Sequence, residues 1–221
     1  KRLLRDAGIP VARHLCLRRG GLTSAVKQTL ETDFGYPLYV KPANMGSSVG
    51  VVKVLQPAEL ESAVETALQY DIKVVLEENI VGREIECSVL GNDEPVASTI
   101  GEIGTEDGFY SYEKKYIDGD GAKLIIPASM DSATLQRVQQ SAITAFKVLE
   151  SRGMARVDMF LTPNDEIYVN EINTIPGFTA ISMYPKLWKA SGLSYTDLID
   201  RLIQLAIEEY SEKSRLKVTG Y

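Results

Sequence analysis

The sequence predicts an α/β (α+β) chain in two subdomains, residues 1–79 and 80–221, and three observations carry that prediction. Residues 11–78 alternate short β-branched runs with amphipathic helical segments. Residues 84–102 hold two consecutive extended runs joined at Gly91-Asn92, a turn pair suited to neighbouring antiparallel strands. Residues 154–179 carry period-two alternation on both sides of Pro163-Asn164-Asp165, the pattern of a second hairpin.

Taken in order, residues 1–7 read as a helix closed by Gly8 and Pro10, so the chain is expected to begin inside an element, as a fragment would. Residues 11–17 predict a strand, 23–32 a helix capped by Thr23 or Ser24, and 36–41 a second strand. A Gly/Ser loop over 42–50 leads into a strand at 51–55. A helix with proline at its start follows over 57–69, then a strand over 73–78. The pattern changes near Asn79, which sets the subdomain boundary. Residues 104–121 are polar, tyrosine-rich and long for a connection, which favours a functional loop. Extended structure returns at 123–127. Residues 131–151 form a long helix whose stripe of Leu135, Val138, Ala142, Ala145, Phe146 and Leu149 is core. After the hairpin come helices near 185–190 and 195–212.

The hairpin concentrates the chemistry. Ala155, Val157, Met159 and Leu161 alternate with Arg156 and Asp158, while Glu171 and Asn173, two apart, share a face. With 162–165 as the loop, Leu161 pairs with Glu166 and Asp158 lies opposite Val169, which puts Arg156, Asp158, Glu171 and Asn173 on one side. Two carboxylates and an amide oxygen, with no His or Cys nearby, form a hard oxygen set suited to Mg2+. The competing reading is a solvated outer face of the sheet.

Composition narrows the partners. A formal charge of −6 over 221 residues argues against a binder of the phosphate backbone, so nucleic acid is not expected. No apolar run reaches membrane-spanning length and no signal peptide precedes the first helix, which predicts a soluble protein that does not enter a membrane. Cys16 and Cys87 are far apart in apolar surroundings and read as small buried hydrophobes, consistent with a reduced, cytoplasmic setting. His14, the sole histidine, reads as structural.

The loop Gly46-Ser47-Ser48-Val49-Gly50 can bring several backbone N–H groups to an anion, although the Walker pattern is absent. Lys41 and Lys115 could each deliver a point charge to phosphate, and Glu77-Glu78-Asn79-Ile80 could meet a purine at the boundary between subdomains. Each signal also has an ordinary alternative in a turn, a solvated lysine or a charged strand end.

Taken together and in order, KPANMGSSVG, VVLEENIVGREIE, FYSYEKKY, ARVDMF and NEINTIPGFTAISMYP resemble the D-alanine-D-alanine ligases of the ATP-grasp superfamily over essentially the whole chain. The resemblance implies a central and a C-terminal ATP-grasp subdomain sandwiching the nucleotide, with the family's N-terminal domain missing. It implies ATP and Mg2+ (or Mn2+), D-alanine as substrate, a homodimer and a cytoplasmic role in cell-wall synthesis.

Residue by residue, Lys41 matches a phosphate-contacting lysine, and Ser47 and Ser48 the loop over the phosphates. Glu77 and Ile80 match the adenine hinge and Glu84 the ribose acid. Lys115 and Tyr116 match the loop that closes the site, with Tyr116 acting through Ser47. Asp158, Glu171 and Asn173 match the metal ligands. Arg156 and the Gly177 N–H match donors to the acyl phosphate and tetrahedral intermediate, and Ser182 and Met183 the site of the second D-alanine carboxylate. The resemblance leaves D-lactate and D-serine as alternative acceptors, with Tyr116 as selector, and a nucleotide-binding domain without ligase activity as a further alternative.

Overall fold

The computed structural model describes residues 1–104, 123–179 and 181–217. Its contacts separate two units, each with its own sheet and core. The first is built on Ala12–Val81. It contains β1 (His14–Arg18), α2 (Ser24–Thr29), β2 (Leu38–Pro42), β3 (Val52–Val54), α3 (Leu60–Ala67) and β4 (Lys73–Glu78). The second takes Lys1–Val11 with α1 (Arg2–Asp6), and Gly82–Gly104 with β5 (Arg83–Gly91) and β6 (Val96–Gly104). It continues through β7 (Lys123–Ile125), α4 (Ser132–Val148), β8 (Gly153–Leu161), β9 (Ile167–Asn173), α5 (Met183–Ala190) and α6 (Tyr195–Lys213).

The sheet of the first unit has the order β1-β4-β2-β3, with antiparallel neighbours. Alternation sends Leu17, Leu38, Val40, Val54, Val74 and Leu76 into one core with Leu60, Ala63, Val64 and Ala67 of α3. The Thr23 hydroxyl accepts from the Val26 N–H and starts α2, deciding between the two expected caps. That helix was expected to run to Thr32, but it widens into a π-helical turn over Leu30–Phe34, with Leu30 fully buried.

The opposite sheet face carries His14, Cys16, Tyr39, Lys41, Val75 and Glu77. This corrects the reading of Cys16 as buried: it is exposed, because Leu17 takes the inward position on β1. Cys87 does behave as a buried hydrophobe, and burial pushes its thiol up to about 12.

The second unit has the sheet order β7-β6-β5-β8-β9. One face packs Ile85, Cys87, Val89, Ala155, Val157, Met159 and Val169 against Val138, Ala142, Ala145 and Phe146 of α4. Asp131 starts that helix by accepting from the N–H groups of Ala133 and Thr134, both at 2.9 Å. The other face is apolar at one end only, where Leu90 and Met154 meet Tyr184, Trp188, Leu198 and Leu205 of α5 and α6. The Tyr184 hydroxyl donates to the Val89 carbonyl at 3.0 Å and holds α5 to β5.

The amino-terminal residues depart from the expected division at 79/80. Leu4 and Ile9 lie in the second unit's core, and the Val169 N–H donates to the Pro10 carbonyl, so Lys1–Val11 packs with the later sheet.

The cysteine geometry gives a direct check. A maleimide should label one thiol, Cys16, in the native protein, with Cys87 reacting only after denaturation. Equal native labelling of both thiols would contradict this packing.

Candidate active site

In the first unit the candidate residues Lys41 and Glu77 stand on the sheet face turned away from α3. Lys41 lies opposite Val75 and Tyr39 opposite Glu77, so Lys41 and Glu77 are diagonal neighbours. Lys41 Nζ is 2.5 Å from Glu77 Oε2. Glu77 is only 3% exposed, so its carboxylate depends on compensating charge such as that of Lys41.

The loop after β2 is anchored at its root. Asn44 donates both its backbone N–H and its Nδ2 to Asp71 Oδ2 at 2.8 Å, and the Ala43 N–H donates to the Lys73 carbonyl at 3.0 Å. Beyond that anchor, Ser47 and Ser48 have φ of 55° and 60°, and the Val49 N–H closes the turn on the Gly46 carbonyl at 3.2 Å. Two consecutive left-handed residues are the signature of a type I′ turn, where Gly and Asn fit best. Serines here cost of order 1 kcal/mol each, the kind of strain that collects at binding sites. Gly50 (φ 70°) closes the loop where a Cβ would stand 2.5 Å from the Tyr70 ring. Ile80 follows β4 and is half-buried.

In the second unit the pairing of β8 with β9 brings the charged residues together, by a route other than the expected register. Leu161 pairs with Ile167 and Met159 with Val169, which keeps all four side chains on the core face. The expected pairing of Leu161 with Glu166 would have put a core leucine opposite a charge. The ladder then shifts between Met159 and Asp158, so that Asp158 lies opposite Glu171 and Arg156 opposite Asn173. Asn170 is the extra residue. This β-bulge reverses the facing of every later residue on β9 and turns Glu171 and Asn173 away from the core, beside Arg156 and Asp158.

The Arg156 side chain is 21% exposed and makes a bidentate pair with Asp158: Nε to Oδ1 and Nη2 to Oδ2, both 2.7 Å. Glu86, opposite Asp158 on β5 and 6% exposed, places Oε2 3.0 Å from Arg156 Nε. Asn173 Nδ2 is 3.0 Å from Asp158 Oδ2 and 3.4 Å from Glu171 Oε1. Burial acts to lower the Arg156 pKa, but Asp158, Glu86 and Glu171 outweigh it and hold the guanidinium above its ordinary value. Arg156 is therefore a permanent cation. Three carboxylates around one guanidinium leave the cluster two negative charges in excess.

That excess suits a divalent cation, and the donor set can be tested against one. Among the described residues no three carboxylate, thiolate or imidazole groups form a ready cage. The oxygens of Asp158 and Glu171 nevertheless flank one amide, whose NH2 stands where a cation would be drawn. Turning that amide over presents a third oxygen, and these hard ligands fit Mg2+ or Mn2+.

The segment after β9 brings Gly177 and Ser182 into contact. A Cβ on Gly177 would stand 2.8 Å from the Ser182 hydroxyl, so glycine permits the approach. That hydroxyl accepts from the Thr179 N–H at 3.0 Å and lies 2.9 Å from Thr179 Oγ1. Met183 opens α5 and is 5% exposed, with its sulfur packed over Gly101, the partner of Glu86 on β6.

Of the residues singled out in the sequence, Arg156, Asp158, Glu171 and Asn173 cluster in the second unit, and Gly177, Ser182 and Met183 lie on the segment that follows them. Lys41 and Glu77 pair in the first unit, with Ser47 and Ser48 on its loop. Glu84 is half-buried on β5 opposite Phe160. Lys115 and Tyr116 lie outside the described residues. Glu86 escaped the sequence reading, although Glu84 and Glu86 alternate across Ile85 and so had to share a face.

Two antiparallel-sheet units, one with a strained Gly/Ser loop beside a buried Lys–Glu pair and the other with an acidic cluster around arginine, define the ATP-grasp class of α+β folds. Residues 3–204 match the model of the D-ala D-ala ligase C-terminus family, and the chain belongs to that family. It is 53% identical to D-alanine–D-alanine ligase A of Escherichia coli K12 over 219 residues, 99% of this chain and 60% of that protein. It is 55% identical to D-alanine–D-alanine ligase of Shouchella clausii over 217 residues, 98% of this chain and 59% of that one. The chain thus spans about 60% of the length of these relatives. Among solved structures, the D-alanine-D-alanine ligase from Coxiella burnetii superposes with a TM-score of 0.84 at 43% identity, covering 97% of this chain and 57% of that one. The VanG D-Ala:D-Ser ligase from Enterococcus faecalis gives 0.83 at 41%, covering 92% and 59%.

Because Asn170 is the extra residue, deleting it should leave Asp158 opposite Glu171 and Arg156 opposite Asn173 in a regular ladder, at a cost of less than about 2 kcal/mol. Urea denaturation measures this, and a loss of about 3 kcal/mol or more, the cost of an uncompensated buried charge, would contradict the assignment of the bulge to Asn170.

Proposed function

We propose that this chain supplies the nucleotide-binding and ligation machinery of an enzyme that joins two D-alanine molecules with ATP, for peptidoglycan precursors made in the cytoplasm. The observation that carries the reading is the Arg156–Asp158–Glu171–Asn173 cluster on one sheet face, in a chain of this family. In this reading Ala12–Val81 forms a largely phosphate- and base-binding part, and the unit built on the larger sheet handles the acyl group. The remaining length of the relatives would supply the rest of the first D-alanine's pocket, and the enzyme would act as a homodimer.

A carboxylate is a poor acyl donor, so the first step transfers the γ-phosphoryl group of ATP to the carboxylate of one D-alanine, giving an acyl phosphate and ADP. Lys41, and Lys115 beyond the described residues, would offset charge on the phosphates. Ser47 and Ser48 would cover them with their backbone N–H groups, while Glu77 and Ile80 hold the base and Glu84 the ribose. Asp158, Glu171 and Asn173 would hold Mg2+ or Mn2+, which when bound screens the charge of the phosphoryl group.

In the second step the amine of another D-alanine, having lost its proton, attacks the acyl carbon, and inorganic phosphate leaves as the peptide bond forms. Arg156 and the Gly177 N–H would stabilise the tetrahedral oxyanion, and Ser182 with Met183 would seat the incoming carboxylate. Tyr116, acting with Ser47, would exclude water from the acyl phosphate. Because the fold also matches a D-Ala:D-Ser ligase, the fold does not choose between D-alanine and D-serine, and Tyr116 is read as the selector against D-lactate. A neutral phenol would leave an incoming ammonium unopposed, which favours an amine acceptor over D-lactate without separating D-alanine from D-serine.

The test joins the chain to the amino-terminal portion of the Escherichia coli relative that it does not match. With ATP, Mg2+ and D-alanine the hybrid should release ADP and phosphate in equal amounts with dipeptide. Asp158→Asn and Glu171→Gln should each lower turnover by at least about tenfold and raise the Mg2+ requirement. Nucleotide binding without dipeptide would reduce the reading to a binding module, and an unchanged Mg2+ requirement in both variants would remove the metal assignment.

A further inference from the structure

Arg156 has two carboxylates competing for one donor. Its Nε–H is aligned on Asp158 Oδ1 at 2.7 Å, while Glu86 Oε2 stands 3.0 Å from the same nitrogen in an ion pair. The two acids face each other across neighbouring strands, Glu86 on β5 and Asp158 on β8, and Glu86 is the more buried of the two. Gly101, its partner on β6, presents no side chain and lies under Met183, so this row of the sheet is firmly packed.

Resting on the metal reading above, we infer that Glu86 is the positioning residue that keeps Arg156 in place when Asp158 turns to a divalent cation. Asp158 now spends both oxygens on the guanidinium, and a cation taking one of them would compete directly with Arg156 for that carboxylate. A small rotation of the guanidinium transfers the Nε–H from Asp158 to Glu86. Arg156 is then still neutralised and still aimed, while Asp158 is released to the metal. The charges agree with this division: the two surplus negative charges of the cluster equal the charge of one divalent ion, and without Glu86 the loaded site would carry a net positive charge.

Glu86 is therefore assigned a role separate from ligation, and its test needs no turnover. The Arg156 Nε–H resonance is followed by 1H–15N NMR in the 221-residue chain, with a non-hydrolysable ATP analogue, as Mg2+ is added. Mn2+ affinity is measured in parallel by electron paramagnetic resonance. In the parent, the resonance should shift on Mg2+ addition yet stay protected from exchange. In Glu86→Gln it should lose that protection only in the loaded state, and Mn2+ binding should weaken about tenfold, with the melting temperature nearly unchanged.

A loaded Glu86→Gln protein with the parent's Nε–H signal and protection would overturn the inference. Asp158→Asn separates the two levels: if that variant binds Mn2+ like the parent, the metal reading itself fails. If Glu86→Gln does not fold, the parent titration decides alone, since a resonance unmoved by Mg2+ means that Asp158 never lets go of Arg156.

Discussion

The second unit is organised around a guanidinium held among carboxylates on the sheet face turned away from α4. Arg156 is largely buried and permanently charged, so its site requires anions, and β5, β8 and β9 each provide one. Those anions exceed what one arginine needs. The surplus suits the cluster to the second cation that the proposed function requires beside a fixed positive charge. The pairing of β8 with β9 makes the arrangement possible: a regular ladder would leave Glu171 on the same face as Ile167 and Val169, which belongs to the core.

The first unit meets a related constraint with a smaller charge set. Glu77 is almost wholly buried on the sheet face away from α3, and Lys41 matches it from the neighbouring strand. The adjoining loop is tied down at Asn44 and passes close to the Tyr70 ring at Gly50, and the two left-handed serines lie between these points. Strain in a short, anchored loop holds backbone N–H groups in a set direction, as an anion-binding loop requires.

Much of this was legible in the sequence. Period-two alternation located nearly every strand, the turn residues marked both hairpins, and the stripe from Leu135 to Leu149 identified the helix that packs on the larger sheet. The residues of the acidic cluster were also legible, because Glu171 and Asn173 share a face in any strand. Their register was not. The extra residue at Asn170 carries no distinctive composition, and only the competition between a core that needs Val169 and a site that needs Glu171 forces it. Glu86 was hidden for a similar reason, since its importance lies in a cross-strand neighbour 72 positions away. Cys16 was misjudged because apolar surroundings in sequence do not tell which face of a strand a residue takes. Lys1–Val11 was grouped with residues 1–79 yet packs with the second unit, because a short helix gives no sign of its docking partner.

The central claim is that this cluster is a divalent-metal site beside a fixed arginine. Anomalous diffraction from crystals grown with Mn2+ and a non-hydrolysable ATP analogue tests it most directly. The account predicts one manganese peak within coordinating distance of Asp158, Glu171 and Asn173 oxygens, with Arg156 uncoordinated beside it. Manganese bound elsewhere, with the Arg156–Asp158 pair still bidentate, would contradict it.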